Sequence, residues 1–293
     1  MGKQPSNAGP HGVVVIDKPA GWTSHDVVAK SRGVLGTRKV GHSGTLDPDA
    51  TGVLVLGVGR ATRLLRFLTE LPKSYDGEIV LGVETSTLDA AGDITATHDM
   101  TSVTAGQVAA VAGELTGNLM QIPPMVSAIK IDGKRLHELA REGKEIERPP
   151  RPVHVSRFDI EPVEGEPLVY ACQVVCSSGT YIRSLAADLG TMLGGGAHLR
   201  SLRRTSVGGF GLDQAGAIET PTLLPIGAAV GHLEATIVAD DKAVAVGHGR
   251  VLPLTELGIS GRGPWAVFDD GGELLAVYEP HKHGAKPTVV ISR

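Results

Sequence analysis

Aromatic side chains are scarce. Two Trp, four Tyr and four Phe amount to 3% of the 293 residues. A surface that reads several successive bases by stacking needs more than that, so a multi-base stacking platform is excluded. Cysteine is scarcer still. Cys172 and Cys176 are the only two, in YACQVVCSSGTY, a segment that alternates like a strand. Four strand residues span roughly 13 Å, too far for a disulfide. The spacing fits no zinc knuckle either. Both read as reduced packing residues, as a cytosolic chain allows. Long apolar runs are missing as well. None approaches the roughly 20 residues of a membrane helix. VVVI, after the polar MGKQPSNAGPHG, is too short for a signal-peptide core. Residues 1–10 read as a flexible tail in a cytoplasmic protein with no membrane partner.

An excess of positive charge is also absent: 28 Lys and Arg stand against 32 Asp and Glu, a net charge of −4. Taken whole, that argues against a nucleic-acid binder, which is usually basic. The distribution is uneven, however. Lys18, Lys30, Arg32, Arg38 and Lys39 face one acid, Asp26, over residues 18–39. HLRSLRRTS carries Arg200, Arg203 and Arg204 with no acid, and HKHGAKPTVVISR is likewise basic. Acids gather at 84–99 and 234–241. Local basic faces on an acidic protein are therefore possible, and solvated surface charge is the plainer alternative for each cluster.

Hydrophobic residues make up 41%, enough for a real core. The length suits one large domain plus a small one, or two ordinary ones. GVVVIDKPAGWTSHDVVAKSRGVLG reads as strand, Pro-Gly turn and helix, with Ser24 as N-cap. GRATRLLRFLTEL reads as a helix with Leu64, Leu65, Leu68 and Leu71 on one face. KSYDGEIVLGVET reads as a strand, and TAGQVAAVAGELTGNL as a helix capped by Thr104. Residues 120–163 mix strand, a charged helix and a Pro-rich turn back into strand. LVYACQVVCSSGTYIRSLAADLGTMLG runs from strand through a turn into helix. Strands mostly follow one another, so the expected class is α+β, a mixed, largely antiparallel sheet with flanking helices. IETPTLLPIGAAVGHLEATIVADD reads as a helix leading into a new unit. Residues 237–293 read as a small β-rich domain, with a hairpin signal in WAVFDDGGELLAVY.

GHSGTLDPDATGVLVLGVG, at 41–59, places Asp47 and Asp49 around Pro48 in a stretch poor in bulky side chains. DPDAT matches the D-x-D-x-T pattern of phosphatases that form an aspartyl-phosphate, but that chemistry needs a preceding apolar strand and GHSGTL precedes it. His42, Asp47 and Asp49 could ligate a hard cation, yet further acids at ligand spacing are lacking. HELAR lacks the second His of a zinc-protease helix, and GVGRAT is a poor phosphate loop. A carboxylate nucleophile remains: Gly and Ser before Asp47 admit a close substrate backbone, and Pro48 stiffens the turn. Local sequence leaves this beside a plain structural turn.

IDKPAGWTSHDVV followed by KVGHSGTLDPDATGVLVLGVGRATR resembles the N-terminal signature of TruB-type tRNA pseudouridine synthases. KSYDGEIVLGVETSTLDAAGD, QIPPMVSAIKIDGKRLHELAREGKEIERPPRPV and CSSGTYIRSLAADLGTMLGGGAHLRSLRRTSVGGF resemble the family's later blocks. Four blocks in order cover most of residues 12–210. The resemblance implies a pseudouridine-synthase-like fold that converts one uridine of the tRNA T arm, conventionally number 55, to pseudouridine. It implies no metal or organic cofactor, and no obligate protein partner. The base must leave its stack to be reached, at a cost of roughly a few kcal/mol.

By matching position, the resemblance makes Asp47 the catalytic aspartate and leaves Asp49 without a demanded role. Arg183 pairs with Asp47 and favours its carboxylate form; a surface Arg is the plainer reading. Tyr75 stacks on the target uracil, with core packing as its alternative. His42 supports the gap left by the extruded base, and Leu202 walls the uracil pocket. Lys18, in the DKP motif, is assigned to the substrate site, although a structural role fits it equally. Residues 124–152 carry Arg141, Lys144 and Arg148 among six Lys and Arg between 134 and 151, with too little apolar content over 141–151 for a core. They read as an RNA-binding flap that orders on the T arm, against a charge-balanced surface helix. The expected organisation is a catalytic domain at 11–225 and a domain at 237–293 resembling PUA-type RNA-binding domains. Two other classes compete: a non-catalytic tRNA-binding or folding protein, and a metal-dependent phosphohydrolase using Asp47 and Asp49.

Overall fold

A computed structural model describes residues 9–127, 130–131, 134–135, 146–282 and 284–291. These form two compact units. The first gathers the residues up to Pro48, 52–70 and those from Val207 onward; the second gathers 49–51 and 71–206.

The first unit opens with β1 (Gly12–Lys18), the helix Ser24–Val34, β2 (Val40–His42) and, but for its first residue, β3 (Thr51–Val58). β1 and β3 run antiparallel, Val14 opposite Leu56 and Ile16 opposite Leu54. Val14, Ile16, Leu54 and Leu56 pack with Val27 and Val28 of the helix. Each such burial is worth about 1.5–3 kcal/mol. β1 does not alternate, because it also touches the 3-10 turns Gly59–Leu64 and Ile226–Val230; a strand covered on both faces reads as a continuous apolar run. The helix starts one residue earlier than its sequence suggests. Thr23, not Ser24, is the N-cap: its Oγ1 accepts from Asp26 N at 3.0 Å, and Asp26 Oδ2 accepts from Thr23 N at 2.9 Å. GRATRLLRFLTEL splits into a 3-10 turn and the short helix Leu65–Thr69, with Leu64 and Leu68 fully buried.

The second unit holds β4 (Lys73–Leu81), β5 (Val83–Thr85), β6 (Ile94–Thr97), the helix Ala105–Glu114, β7 (Gly117–Gln121), β8 (Lys130–Ile131), β9 (Lys134–Arg135), β10 (Arg151–Pro162), β11 (Val169–Cys176), the helix Ile182–Met192 and, but for its last residue, β12 (Ala197–Val207). Thr104 caps the Ala105–Glu114 helix in a second capping box with Gln107. The sheet order is β12-β4-β11-β10-β7, and the registers of β4, β11, β10 and β7 are antiparallel. Gln121 stands opposite Arg151, so the chain from 122 to 150 is an excursion from one end of the β7–β10 pair. Arg148 closes its root, donating from Nη1 to the Pro123 carbonyl at 2.9 Å. The charged helix expected here, Arg141 and Lys144 lie outside the described residues.

The chain then returns to the first unit with β13 (Phe210–Gly211), β14 (Leu223–Leu224), β15 (Glu234–Ile237), β16 (Leu252–Pro253), β17 (Trp265–Phe268), β18 (Leu274–His281) and β19 (Gly284–Val290). The helix expected after Ile218 is absent. Pro221 and Pro225 withhold backbone donors, and Gly227 and Gly231 add to the cost of helix; the segment forms β14, a 3-10 turn and β15 instead. β15-β17-β18-β19-β16 make a second sheet over a core of Trp265, Val267 and Tyr278. The expected hairpin is β17–β18. Fold class is as expected: α+β, with a large, mostly antiparallel sheet and a C-terminal β unit. No helix among the described residues is long and apolar enough to cross a membrane.

Candidate active site

Asp47 lies on a strandless loop between β2 and β3, where side-chain contacts must do the work that a ladder does elsewhere. They do so on both of its shoulders. Ser24 Oγ accepts from Leu46 N at 2.9 Å and donates to Leu46 O at 3.1 Å. On the other side, Pro48 O accepts from Lys18 Nζ at 2.8 Å and from Gly21 N at 3.0 Å. Asp47 is half-buried between these anchors, whereas Pro48 and Asp49 are exposed. The loop thus treats its two carboxylates differently: one is held partly out of water and the other is solvated.

Lys18 is fully buried. Its ammonium also donates to Pro19 O at 2.9 Å and Trp22 O at 2.7 Å. Taking an ammonium out of water costs several kcal/mol; the three carbonyls around it offset part of that cost. The geometry makes Lys18 a post beneath the loop and gives it no open surface on which to meet a substrate. His42 ends β2, half-buried, with its ring edge-on to His25 at 5.4 Å and 81°.

Arg183 sits in the first turn of the helix Ile182–Met192 in the second unit and is 4% exposed. Nη1 donates to Thr87 O and Nη2 to Val126 O, both at 3.0 Å, while Nε lies 3.5 Å from Asp89 Oδ2. Asp89 Oδ1 in turn accepts from Thr87 Oγ1 at 2.5 Å and Ala91 N at 3.1 Å. The planar fork is therefore aimed by two carbonyls and one carboxylate, a task Lys could not copy. Val126 belongs to the root of the 122–150 excursion, which is tied to the same helix by Ser184 Oγ donating to Ile122 O at 3.0 Å.

Tyr75 is buried on β4 opposite Val174. Gly77 follows on the same face, and a Cβ there would meet Leu202 Cδ1 at 3.4 Å and Ser201 O at 2.8 Å. The second unit thus sets Leu202 against the bare backbone two residues from Tyr75. Asp47, His42 and Lys18 belong to the first unit, and Tyr75, Arg183 and Leu202 to the second.

Residues 32–182 match the N-terminal domain profile of the TruB family pseudouridylate synthases, 183–234 the tRNA pseudouridylate synthase B C-terminal domain, and 233–292 the C-terminal profile of tRNA pseudouridine synthase II. The chain belongs to the TruB family of pseudouridylate synthases. It is 48% identical to the tRNA pseudouridine synthase B of Streptomyces coelicolor, covering 96% of this chain and 97% of that one. Against the same protein of Mycolicibacterium paratuberculosis it is 45% identical over 96% and 98%. Among solved structures, a Cbf5-Nop10-Gar1 complex matches with a TM-score of 0.73 and 27% identity, over 99% of this chain and 87% of that one. An H/ACA RNP bound to a substrate RNA matches at 0.70 and 25%, over 96% and 84%.

Two residues beside the candidate site residues of this TruB-family chain, Gln121 and Asp89, carry no signal of their own in the sequence, and a third, Ser24, reads there as a helix cap. The second unit also carries a cavity. That cavity, about 660 Å³, opens on the sheet face bearing Asp76, Glu78, Asp159 and Glu161, with Arg157 and Arg203 as its cations and with Asp49 and Leu202 also in its lining. Tyr75 points to the opposite face by alternation. Five carboxylates against two guanidiniums make this hollow acidic, and Leu202, expected to wall the uracil pocket, is part of its lining. Both cysteines are buried and free; burial pushes the Cys172 thiol up to about 12 and that of Cys176 to about 11, which marks them as inert packing.

Proposed function

We propose that this protein converts uridine 55 in the T arm of tRNA to pseudouridine, in the cytoplasm and without a cofactor. The observation that supports this reading most directly is the two-shouldered fixation of Asp47 within a chain of this family, whose curated relatives carry the name tRNA pseudouridine synthase B. The target nucleotide swings out of its stack, and Tyr75 stacks on its uracil while Leu202 walls the pocket. His42 supports the gap left behind. Asp47, kept ionised by Arg183, acts as the nucleophile that lets the N1–C1′ bond break, and its own bond to the substrate breaks again before the product leaves, which regenerates the carboxylate. The uracil turns, C5 bonds to C1′, the C5 proton leaves and N1 takes up a proton. Nothing is added or lost, so the reaction is an isomerisation. Lys18 and Ser24 hold the loop. The 124–152 segment, with Arg141, Lys144 and Arg148, is a flap over the T-arm phosphates. Residues 11–225 serve as the catalytic domain and 237–293 as a PUA-like domain.

The test is an unmodified tRNA transcript incubated with purified protein, with and without EDTA, followed by mapping of pseudouridine through its chemical adduct. A single adduct at position 55, unaffected by EDTA, is expected. Asp47→Asn should bind tRNA nearly as well and make none, whereas Asp49→Asn should keep most activity. A transcript that binds but stays unmodified would favour a tRNA-folding protein; equal behaviour of the two Asn variants would remove the roles given to the carboxylates.

A further inference from the structure

Ser24 stands in an unusual position for a serine at the start of a helix. Its neighbour Thr23 does the capping, so the Ser24 hydroxyl is released from the task that serines ordinarily perform there. It is 1% exposed and reaches across 22 residues of chain to Leu46, the residue immediately before Asp47. There it takes both backbone groups at once, accepting from Leu46 N at 2.9 Å and donating to Leu46 O at 3.1 Å. One hydroxyl thus completes what a strand partner would supply, at a point where no strand runs. Leu46 itself is buried, so neither backbone group can turn to water instead.

We infer that Ser24 is a positioning residue for the reaction: it fixes the direction of the chain as it enters Asp47, and so the aim of the Asp47 carboxylate, without touching the substrate. The inference rests on the function proposed above. Its physical basis is the steepness with which rate depends on placement of a reacting group. A displacement of about 1 Å can cost on the order of 100-fold in rate, and removing a two-way anchor one residue away permits a shift of that size. The Lys18 anchor at Pro48 holds the far side of the loop, so loss of Ser24 loosens Asp47 from one side only and leaves the fold in place.

The experiment is single-turnover pseudouridine formation on saturating tRNA transcript, with tRNA affinity and thermal melting measured on the same proteins. Ser24→Ala should lower the single-turnover rate by about 10- to 100-fold, with tRNA affinity within about threefold of wild type. Ser24→Thr, which keeps the hydroxyl, should recover most of the rate. Ser24→Cys, close in size but a weak hydrogen-bonding group, should fall between, and it reports even if the alanine variant folds poorly. Thr23→Ala is the control. It removes the cap of the same helix one residue away, so it should lower the melting temperature while leaving the rate near wild type. Wild-type rates in both the Ala and Cys variants would overturn the inference, as would an equal rate loss in Thr23→Ala, which would make the effect one of helix stability. If the wild-type protein itself formed no pseudouridine, the proposed function would fail instead, and the ratios between variants would not exist to be read.

Discussion

The side chain of Gln121 holds Tyr181 by both of that residue's backbone atoms. Gln121 Nε2 donates to Tyr181 O at 3.1 Å, and Tyr181 N donates to Gln121 Oε1 at 2.7 Å. Tyr181 is the N-cap of the helix whose second residue is Arg183. The relation repeats, in the second unit, what Ser24 does to Leu46 in the first: a single buried polar side chain fixes the chain just ahead of a candidate site residue.

Changing Gln121 to Glu should therefore hurt in two ways. The lost amide takes from Tyr181 O one of its two donors, Leu185 N being the other, and a buried carboxylate oxygen is set against that carbonyl. A buried group left unsatisfied costs about 1–3 kcal/mol, and Gln121 is 3% exposed. We expect a drop in urea-unfolding stability of that order, together with a slower single-turnover rate as Arg183 loses its fixed approach. A variant with wild-type stability and rate would show that the paired bonds do not govern the helix start.

Arg183 and Asp89 offer a graded comparison. Arg183→Met strips donors from Thr87 O, Val126 O and the Asp89 carboxylate together. Breaking a buried pair from one side typically costs about 3–5 kcal/mol, so both turnover and stability should fall sharply. Arg183→Lys should recover little, because an ammonium cannot span the three acceptors. Asp89→Asn keeps an oxygen for Thr87 Oγ1 and Ala91 N, and Asp89 is partly exposed, so its stability loss should stay near 1 kcal/mol. Turnover and denaturant titration of the three variants check this order; a tolerated Arg183→Met would rule out the proposed pairing with Asp47.

Lys73 gives a prediction in pH. Burial, and next the charge of Arg204, lower its pKa from the ordinary 10.5 to about 8. Between about 8 and 10.5 the unfolded chain holds this proton and the folded one does not, so stability rises with pH across that window. Below about pH 8 the folded protein carries the full cost of the buried charge. Cys172 and Cys176 act the other way above pH 9, because their folded pKa values are raised. Lys73→Met isolates the lysine. Its loss also removes the 2.7 Å bond to Leu71 O, worth about 1 kcal/mol. After screening of the part solvent still reaches, a net gain of about 1–2 kcal/mol at pH 7 is expected. The difference between variant and wild type should shrink by pH 10. Urea melts at pH 7, 8.5 and 10 decide it; a constant difference would mean that the folded lysine titrates normally.

Much of this fold was legible because its signals are local. β11 and the helix Ile182–Met192 follow directly from an alternating run and a helical one, and the β17–β18 hairpin from its Asp-Gly turn. The cap at Thr23 and Thr104 differ only in that the first sits beside a second hydroxyl, which made Ser24 look like the cap. The polypeptide after Ile218 misled because its apolar spacing suits a helix while its prolines forbid one. The site was legible in a different way. Asp47 and Asp49 share their neighbours in sequence, and local chemistry does not choose between them; the preference for Asp47 comes from the family resemblance alone. The supporting residues escaped because their partners are distant: Gln121 and Tyr181 are 60 residues apart, and Arg183 and Thr87 are 96 apart. No periodicity encodes such a pair.

The last prediction concerns Arg148, which the sequence grouped with Arg141 and Lys144 as equal contacts for RNA phosphates. In the structure its Nη1 is committed to the Pro123 carbonyl at the root of the 122–150 excursion. Arg141 and Lys144 lie outside the described residues. If the latter two each neutralise a phosphate, replacing either by Gln should flatten the plot of log affinity for tRNA against log salt by roughly 0.7–0.9, and replacing both should about double that change. Arg148→Gln should differ in kind. Its guanidinium is partly spent within the protein, so the slope should change by less than one such step. Releasing Pro123 O should instead loosen the segment that carries Val126, the residue to which Arg183 donates. The expected signature is a lower single-turnover rate at saturating tRNA with nearly unchanged salt dependence. Binding titrations at four salt concentrations, paired with single-turnover rates, separate the two behaviours. A full slope change for Arg148→Gln with an intact rate would return it to the phosphate-binding set.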